Sequence, residues 1–287
     1  MTPAELLGRW LADRLPAGAA AWLASGSERL RSGAVDRDLY LLTSLVARHI
    51  GKEPLALTGA ELDAASASRP GWDPGAWTLD QAARIYLLLA STSDGTEMSR
   101  RLDRLCGAAD VLELVAFYRG LPLYPDQPRY RLRAAEGVRS NMRVVFEAVA
   151  HCNPYPAEQL TEQAWNQLVL KALFVGSRLD PIVGLDARRN PTLARMLRDY
   201  AHERWAASRP VSPELWRCVG PFAAGPVLDD FARLFERGTA DEQRAAALAL
   251  REATDSEAAR LLALHAPAAG EVGDSNLVWK RLASAGT

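Results

Sequence analysis

Apolar positions along this chain recur at helical spacing from end to end. Leu6, Leu7, Trp10, Leu11 and Leu15 fall at intervals of three and four, as do Leu39, Leu42, Leu45, Val46 and Ile50, so each set shares one helix face. Alternating runs of strand length with hairpin turns between them do not occur. The pattern predicts helices near 3–15, 17–32, 37–50, 59–67, 79–91, 96–106, 109–119, 130–151, 161–175, 191–207, 213–219, 226–236, 240–252 and 255–265. Start signals support it. A Thr followed three residues on by an acid or amide, which lets each side chain satisfy the other's backbone N–H, stands at Thr2/Glu5, Thr58/Glu61, Thr78/Gln81, Thr239/Glu242 and Thr254/Glu257. Pro takes the first helical position after Thr2, Asn190 and Ser212, where a missing N–H costs nothing. Pro16, Gly33, Gly51, Gly120 and Gly176 close apolar runs.

These elements predict an all-α protein with no significant sheet. The segments TADEQRAAALAL and TDSEAARLLALH suggest stacked antiparallel pairs, while no strict repeat period is visible. The expected architecture is therefore an irregular stack of helical hairpins, a loosely HEAT-like α-solenoid. The Pro-rich stretch LPLYPDQPRY at 121–130 is the expected link between an N-terminal half, 1–120, and a C-terminal half, 131–266, in one continuous globule. A tail at 267–287 follows, in which Leu277, Val278 and Trp279 are expected to dock as a final turn.

Composition narrows the function classes. A chain of 287 residues that is 48% hydrophobic is long enough for a full core. Lys and Arg number 34 against 35 Asp and Glu, which does not favour a nucleic-acid partner, since phosphate binding needs a basic surface. Cys106, Cys152 and Cys218 form no C-x-x-C pair, and their odd number argues for a reducing compartment. The start, MTPAELLGRW, lacks the pattern of a signal peptide, and uncharged stretches such as 17–27 are too short to span a bilayer. A cytoplasmic protein without a membrane span is expected.

Unusual residues crowd into Ala150–Phe222, which holds His151 and His202, Cys152 and Cys218, and Trp165, Trp205 and Trp216. On the helix near 161–175, Trp165, Leu168, Val169, Ala172, Leu173 and Val175 make a wide apolar face, with Leu170 and Phe174 on the other side. Such a helix is expected to be wedged centrally in the C-terminal half. Asn166 lies at the margin of that face and either ties down a neighbouring loop or meets a ligand. On the helix near 191–207, Arg204 projects into the face formed by Leu193, Met196, Leu197, Tyr200 and Ala201. Its guanidinium must be paired, either internally with Asp186 or Glu147 or with an anionic ligand in a cleft. Trp205 and Trp216 are candidates for an aromatic wall, and His151 with Asn153 for further polar contacts.

Two carboxylate–imidazole pairs, Glu147/His151 and Asp199/His202, raise a di-metal reading. Projection argues against it, because Asp199 and His202 share a charged stripe with Arg195 and Arg198, and Arg143, Glu147 and His151 form a surface ladder. No metal and no cofactor is expected. Sequences for a nucleophile elbow, a phosphate loop or a dinucleotide fold are absent. Cys152 is expected to be a buried structural thiol, and Asp229-Asp230 to cap or solvate a short helix.

The segments NPYPAEQLTEQAWNQLVLKALFVGS and GLDARRNPTLARMLRDYAHERWAASRPVSPELWRCVGPF, within about Asn141–Phe222, resemble the EboA family of metabolite-traffic proteins. AWNQLVLKALF and DYAHERWAA carry the likeness. The resemblance implies a cytoplasmic helical protein encoded in the bacterial ebo cluster beside a UbiA-type membrane prenyltransferase, a TatD-like metal hydrolase and sugar-phosphate-type enzymes. It implies a part in moving or maturing a secondary metabolite, such as the scytonemin precursor in cyanobacteria, toward the periplasm. Expected partners are a hydrophobic metabolite, prenylated ones included, and other ebo-cluster proteins, with association to the inner membrane through a partner. The family brings no assigned catalytic residues. Two readings follow: a binding or scaffold protein whose helical cleft holds a metabolite or partner enzyme, and an enzyme using Arg204, Asn166 and His151 on a metabolite precursor.

Overall fold

A computed structural model describes residues 1–33, 35–269 and 275–285. Among them the protein is all-α, with 17 α-helices, no strand and a single isolated bridge between Pro54 and Thr78. The chain divides into two compact units, Met1–Thr161 and Glu162–Thr287.

The first unit contains α1 (Pro3–Arg14), α2 (Ala17–Arg31), α3 (Asp36–Ile50), α4 (Gly59–Ser68), α5 (Leu79–Ser91), α6 (Gly95–Ala108), α7 (Val111–Arg119), α8 (Arg131–Arg139), α9 (Arg143–Ala150) and α10 (Tyr155–Gln159). Helix α5 is its hub, touching α1, α2, α3 and α7. Buried residues surround α5 on every side, including Leu79, Ala82, Ile85, Leu87 and Leu88. Such a helix belongs inside a core. It carries an enclosed ion pair, Arg84 Nη1 to Asp80 Oδ2 at 2.6 Å, with Glu113 Oε1 3.6 Å from the other guanidinium nitrogen. The Pro-rich stretch at 121–130 forms two 3₁₀ turns, Leu121–Leu123 and Gln127–Tyr130, within this unit. Tyr124 pins it by donating to Phe117 O at 3.0 Å, and Tyr130 by donating to Pro125 O at 2.6 Å.

The second unit contains α11 (Glu162–Phe174), α12 (Pro191–Ala206), α13 (Trp216–Val219), α14 (Val227–Arg237), α15 (Ala240–Leu250), α16 (Ser256–Ala269) and α17 (Ser275–Ala285). Its hub is α15, which touches α13, α14, α16 and α17, rather than the expected α11. Six consecutive residues of α15, Ala245 to Leu250, are buried. Four of the six are alanine, so neighbouring backbones come close. Phe174 ends α11 with its ring 77% exposed, so the far side of that helix is not filled as the wedge expectation required. The expected final turn around Trp279 is a full helix, α17, with Trp279 buried; residues 270–274 and 286–287 of the expected tail lie outside the described residues.

Local chemistry explains most boundaries. The reciprocal caps form at Thr2/Glu5, Thr58/Glu61 and Thr239/Glu242, and at Thr78 the Gln81 amide oxygen accepts from the Thr78 N–H at 3.3 Å. At α16 the cap is Asp255 rather than Thr254: its Oδ1 accepts from Glu257 N at 2.8 Å and Ala258 N at 3.3 Å. The helix expected over 130–151 is broken after Arg139, where Ser140 Oγ accepts from Met142 N at 3.1 Å. The break lets α8 fold back onto α9, with Gly137 approaching so closely that a Cβ there would lie 2.6 Å from Val149 Cγ2.

Candidate functional site

Helix α12 supplies the site's main wall. Asn190 caps it, accepting from Leu193 N at 2.8 Å, and Pro191 opens its first turn. Leu193, Ala194, Leu197 and Ala201 face the core, while Tyr200 and Arg204, one turn apart at the edge of that face, are half-buried. Beyond the helix, Ser208 turns the chain with a left-handed backbone, φ 53°. This brings Pro210 back, and Arg204 Nε donates to Pro210 O at 3.0 Å. The segment Pro210–Pro213 is thereby strapped alongside the helix.

Between α12, the strap, the end of α11 and the start of α15 lies a hollow of about 580 Å³. Leu173, Val211 and Leu282 give it apolar surface, Tyr200 an aromatic one, and Arg204, Asp241 and Glu242 its charges. The size is within the ordinary range for small-molecule sites. The charges differ in what they have left to offer. Glu242 Oε2 accepts from the Thr239 N–H at 2.7 Å in the α15 cap. Asp241 Oδ1 accepts from Arg244 Nη1 at 3.0 Å. Arg204 forms no ion pair among the described residues, and its hydrogen bond to Pro210 uses only Nε, so both terminal nitrogens remain unspent. Tyr200 donates to Leu173 O at a long 3.4 Å.

A smaller recess, about 50 Å³, shares Leu173, Gly176 and Ser212 with the hollow and reaches Glu214. Glu214 is buried, accepting from Leu179 N at 3.1 Å and from Asp180 N at 2.6 Å. Burial pushes its carboxyl above the ordinary value despite those donors. Glu214 carries no distinguishing signal in the sequence, because the acid after a Pro reads as a helix-start residue.

The structure brings Tyr200 and Arg204, of the expected cleft residues, to the hollow. Asn166 is buried and exchanges amide hydrogen bonds with Asn190. Trp165 is fully buried beneath the Arg188 guanidinium, 4.8 Å from the ring centre. Trp205 and Trp216 stack at 5.6 Å, with His202 5.6 Å from Trp205 on the same ladder and Phe231 edge-on to Trp216 at 5.2 Å. His151 and Asn153 belong to the first unit. Asn153 is buried there, donating to Tyr118 O and Ala148 O at 3.1 Å each and accepting from Tyr155 N at 3.0 Å.

Internal pairing of Arg204 with Asp186 does not occur; Asp186 instead receives two bonds from Arg217, at 2.8 and 2.6 Å. The residues of the di-metal reading are dispersed into other contacts. Glu147 accepts from Arg143 at 2.7 Å, Asp199 is exposed, and His202 Nε2 lies 2.7 Å from Asp230 Oδ1. Asp230 is buried and also held by Arg198, so it is a packing anchor rather than the solvated helix-end acid expected. No group of three or more His, Cys, Asp or Glu placed to hold a metal ion occurs among the described residues. Cys218 is buried and its thiol is pushed up to about 12 by burial, whereas Cys152 is only half-buried, at a left-handed φ of 51°, contrary to the buried thiol expected there.

The described residues thus form an all-helical protein whose C-terminal unit holds a hollow of mixed apolar and polar lining with the Arg204 guanidinium on it. It belongs to the EboA family: the family model described as "Metabolite traffic protein EboA" matches residues 3–220. Searches of curated proteins and of solved structures gave no match. Tyr200, Arg204 and the strap lie inside the matched stretch, and the Thr239–Glu242 side of the hollow and Leu282 lie after it. No helix among the described residues is long and apolar enough to cross a membrane.

Proposed function

We propose that this EboA-family chain serves metabolite traffic by binding: the hollow beside α12 takes up the apolar part of a secondary metabolite and hands it to, or receives it from, a partner enzyme. One observation carries the reading. A hollow of about 580 Å³ is walled by Leu173, Tyr200, Val211 and Leu282 and holds a charged group with donors to spare. Apolar lining with few convergent polar groups is what small-molecule sites require. The packing of α14, α15 and α16 against one another supports an irregular, loosely HEAT-like stack in this unit. On this reading the chain acts in the cytoplasm, with other ebo-cluster proteins, a membrane prenyltransferase among them, delivering or accepting the cargo, as the resemblance to the family implies. The enzymatic alternative draws no support from the acids of the hollow, both of which are engaged by the protein's own groups.

The test compares wild type with Val211→Trp, which fills the hollow from the strap. Both are purified from cells expressing the neighbouring cluster genes, and bound small molecules are extracted and identified by mass spectrometry. An apolar compound retained by wild type and lost from the variant is expected. Equal retention by the two, or none by wild type, overturns the proposal.

A further inference from the structure

We infer that the ligand of this hollow is an amphiphilic carboxylic acid, its single carboxylate received by Arg204 and its neutral body lying against Tyr200, Val211 and Leu282; this rests on the binding role proposed above. Unspent hydrogen-bonding capacity decides the polar end. Glu242 gives one oxygen to its own helix cap and Asp241 one to the Arg244 ion pair, so each acid already has an N–H or cationic partner within its own helix. Arg204 presents two terminal nitrogens with no partner among the described residues, and its Nε bond to Pro210 O fixes the plane of the fork. A planar fork held in one orientation matches a planar carboxylate through two parallel, charge-assisted bonds. The net charge of the lining decides between anions. The lining holds one guanidinium and two carboxylates, so Arg204 can answer a single ligand charge, and the second charge of a phosphate dianion would meet Asp241 and Glu242 with no cation left to offset it. The apolar walls decide the body, since burying an uncharged chain there removes hydrocarbon from water at no electrostatic cost.

The experiment titrates the full chain at neutral pH with octanoate, octanol, octyl phosphate and octylamine, which differ in the head group alone, following binding by calorimetry or ligand-observed NMR. Octanoate is expected to bind roughly tenfold more tightly than octanol, the ratio a charge-assisted pair supplies, and more tightly than octyl phosphate. In Arg204→Gln the preference for octanoate over octanol is expected to vanish while octanol affinity stays, with thermal unfolding confirming that the variant is folded. Octanol matching octanoate, or octyl phosphate or octylamine exceeding it, overturns the inference and leaves the binding role standing. A preference that survives in Arg204→Gln overturns the assignment to Arg204. Failure of all four to bind overturns both this inference and the role it rests on.

Discussion

Asn166 and Asn190 exchange their amides across the second unit: Asn166 Nδ2 donates to Asn190 Oδ1 at 3.2 Å, and Asn190 Nδ2 donates to Asn166 Oδ1 at 2.9 Å. The same Asn190 oxygen caps α12 by accepting from Leu193 N at 2.8 Å. A buried side chain on α11 therefore fixes where α12 begins, and with it the rotation that points Tyr200 and Arg204 along one edge. Asn190 has no donor left for a ligand. Asn190 Nδ2 spends its second hydrogen on Arg188 O at 3.2 Å.

Breaking that exchange is expected to cost stability in a coupled way. Asn166→Leu removes both bonds of the exchange, leaving the half-buried Asn190 with Leu193 N and Arg188 O alone, a loss of about 1–3 kcal/mol. Asn190→Ala loses the exchange and the helix cap together, the cap alone contributing about 1 kcal/mol. Because the two changes remove the same bonds, the double variant should be less destabilised than the sum of the singles. Urea unfolding of the four proteins measures this. Strict additivity would show that the pair is not coupled.

Much of the architecture is visible in the sequence because helix periodicity and caps are local signals. Thr239 and Glu242 announce α15, and Asn190-Pro191 announces α12, through side chains three residues away. What is not local is not visible. The break between α8 and α9 lies at Ser140, Asn141 and Met142, with neither Pro nor Gly to mark it, and is decided by the packing of Gly137 on Val149 and Tyr118. On one helix face, Tyr200 and Arg204 could be placed together from spacing alone. Which acid answers Arg204 could not: Asp186 goes to Arg217, a residue whose place depends on two turns and a four-residue helix. Asp230 illustrates the same limit. As one of two adjacent acids it reads as surface, and only the return of α14 onto α12 shows that Arg198 and His202 meet over it.

Glu214 should give the protein a pH-dependent stability term of unusual sign. Burial raises its carboxyl above the ordinary value, outweighing the Leu179 and Asp180 N–H donors, with the Asp180 carboxylate adding and Arg178 opposing. The folded protein thus holds this proton to higher pH than the unfolded chain, where a Glu titrates near ~4.3. Between those two values the native state binds more protons, so stability falls as pH rises through the window. Below it the contribution is flat and most favourable. The expected outcome is that the stability of wild type relative to Glu214→Gln, which is neutral throughout, declines as the pH rises above the ordinary carboxylate value of about 4.3. Urea midpoints at a series of pH values measure the difference, and a gap that stays level or widens would contradict the burial argument.

Gly220 sits where the α13 segment crosses the alanine surface of α15. A Cβ on it would lie 2.3 Å from Ala249 O and 2.5 Å from Ala249 C, backbone atoms that cannot rotate aside. Its own backbone is helical, so the constraint is space rather than conformation. Gly220→Ala therefore has to push α15 away from α13, opening contacts among Ala245, Ala246 and Leu250 that depend on the close approach. Overpacking of this kind costs about 1–3 kcal/mol, and here the displaced element also carries Thr239, Asp241 and Glu242 at the hollow's mouth. The variant is expected to unfold at lower urea and to bind the hollow's ligand more weakly, whereas Gly18→Ala, whose added methyl meets nothing within 4 Å, should do neither. Gly220→Ala as stable as wild type would show that the close approach of Gly220 to Ala249 does not constrain the packing of α15.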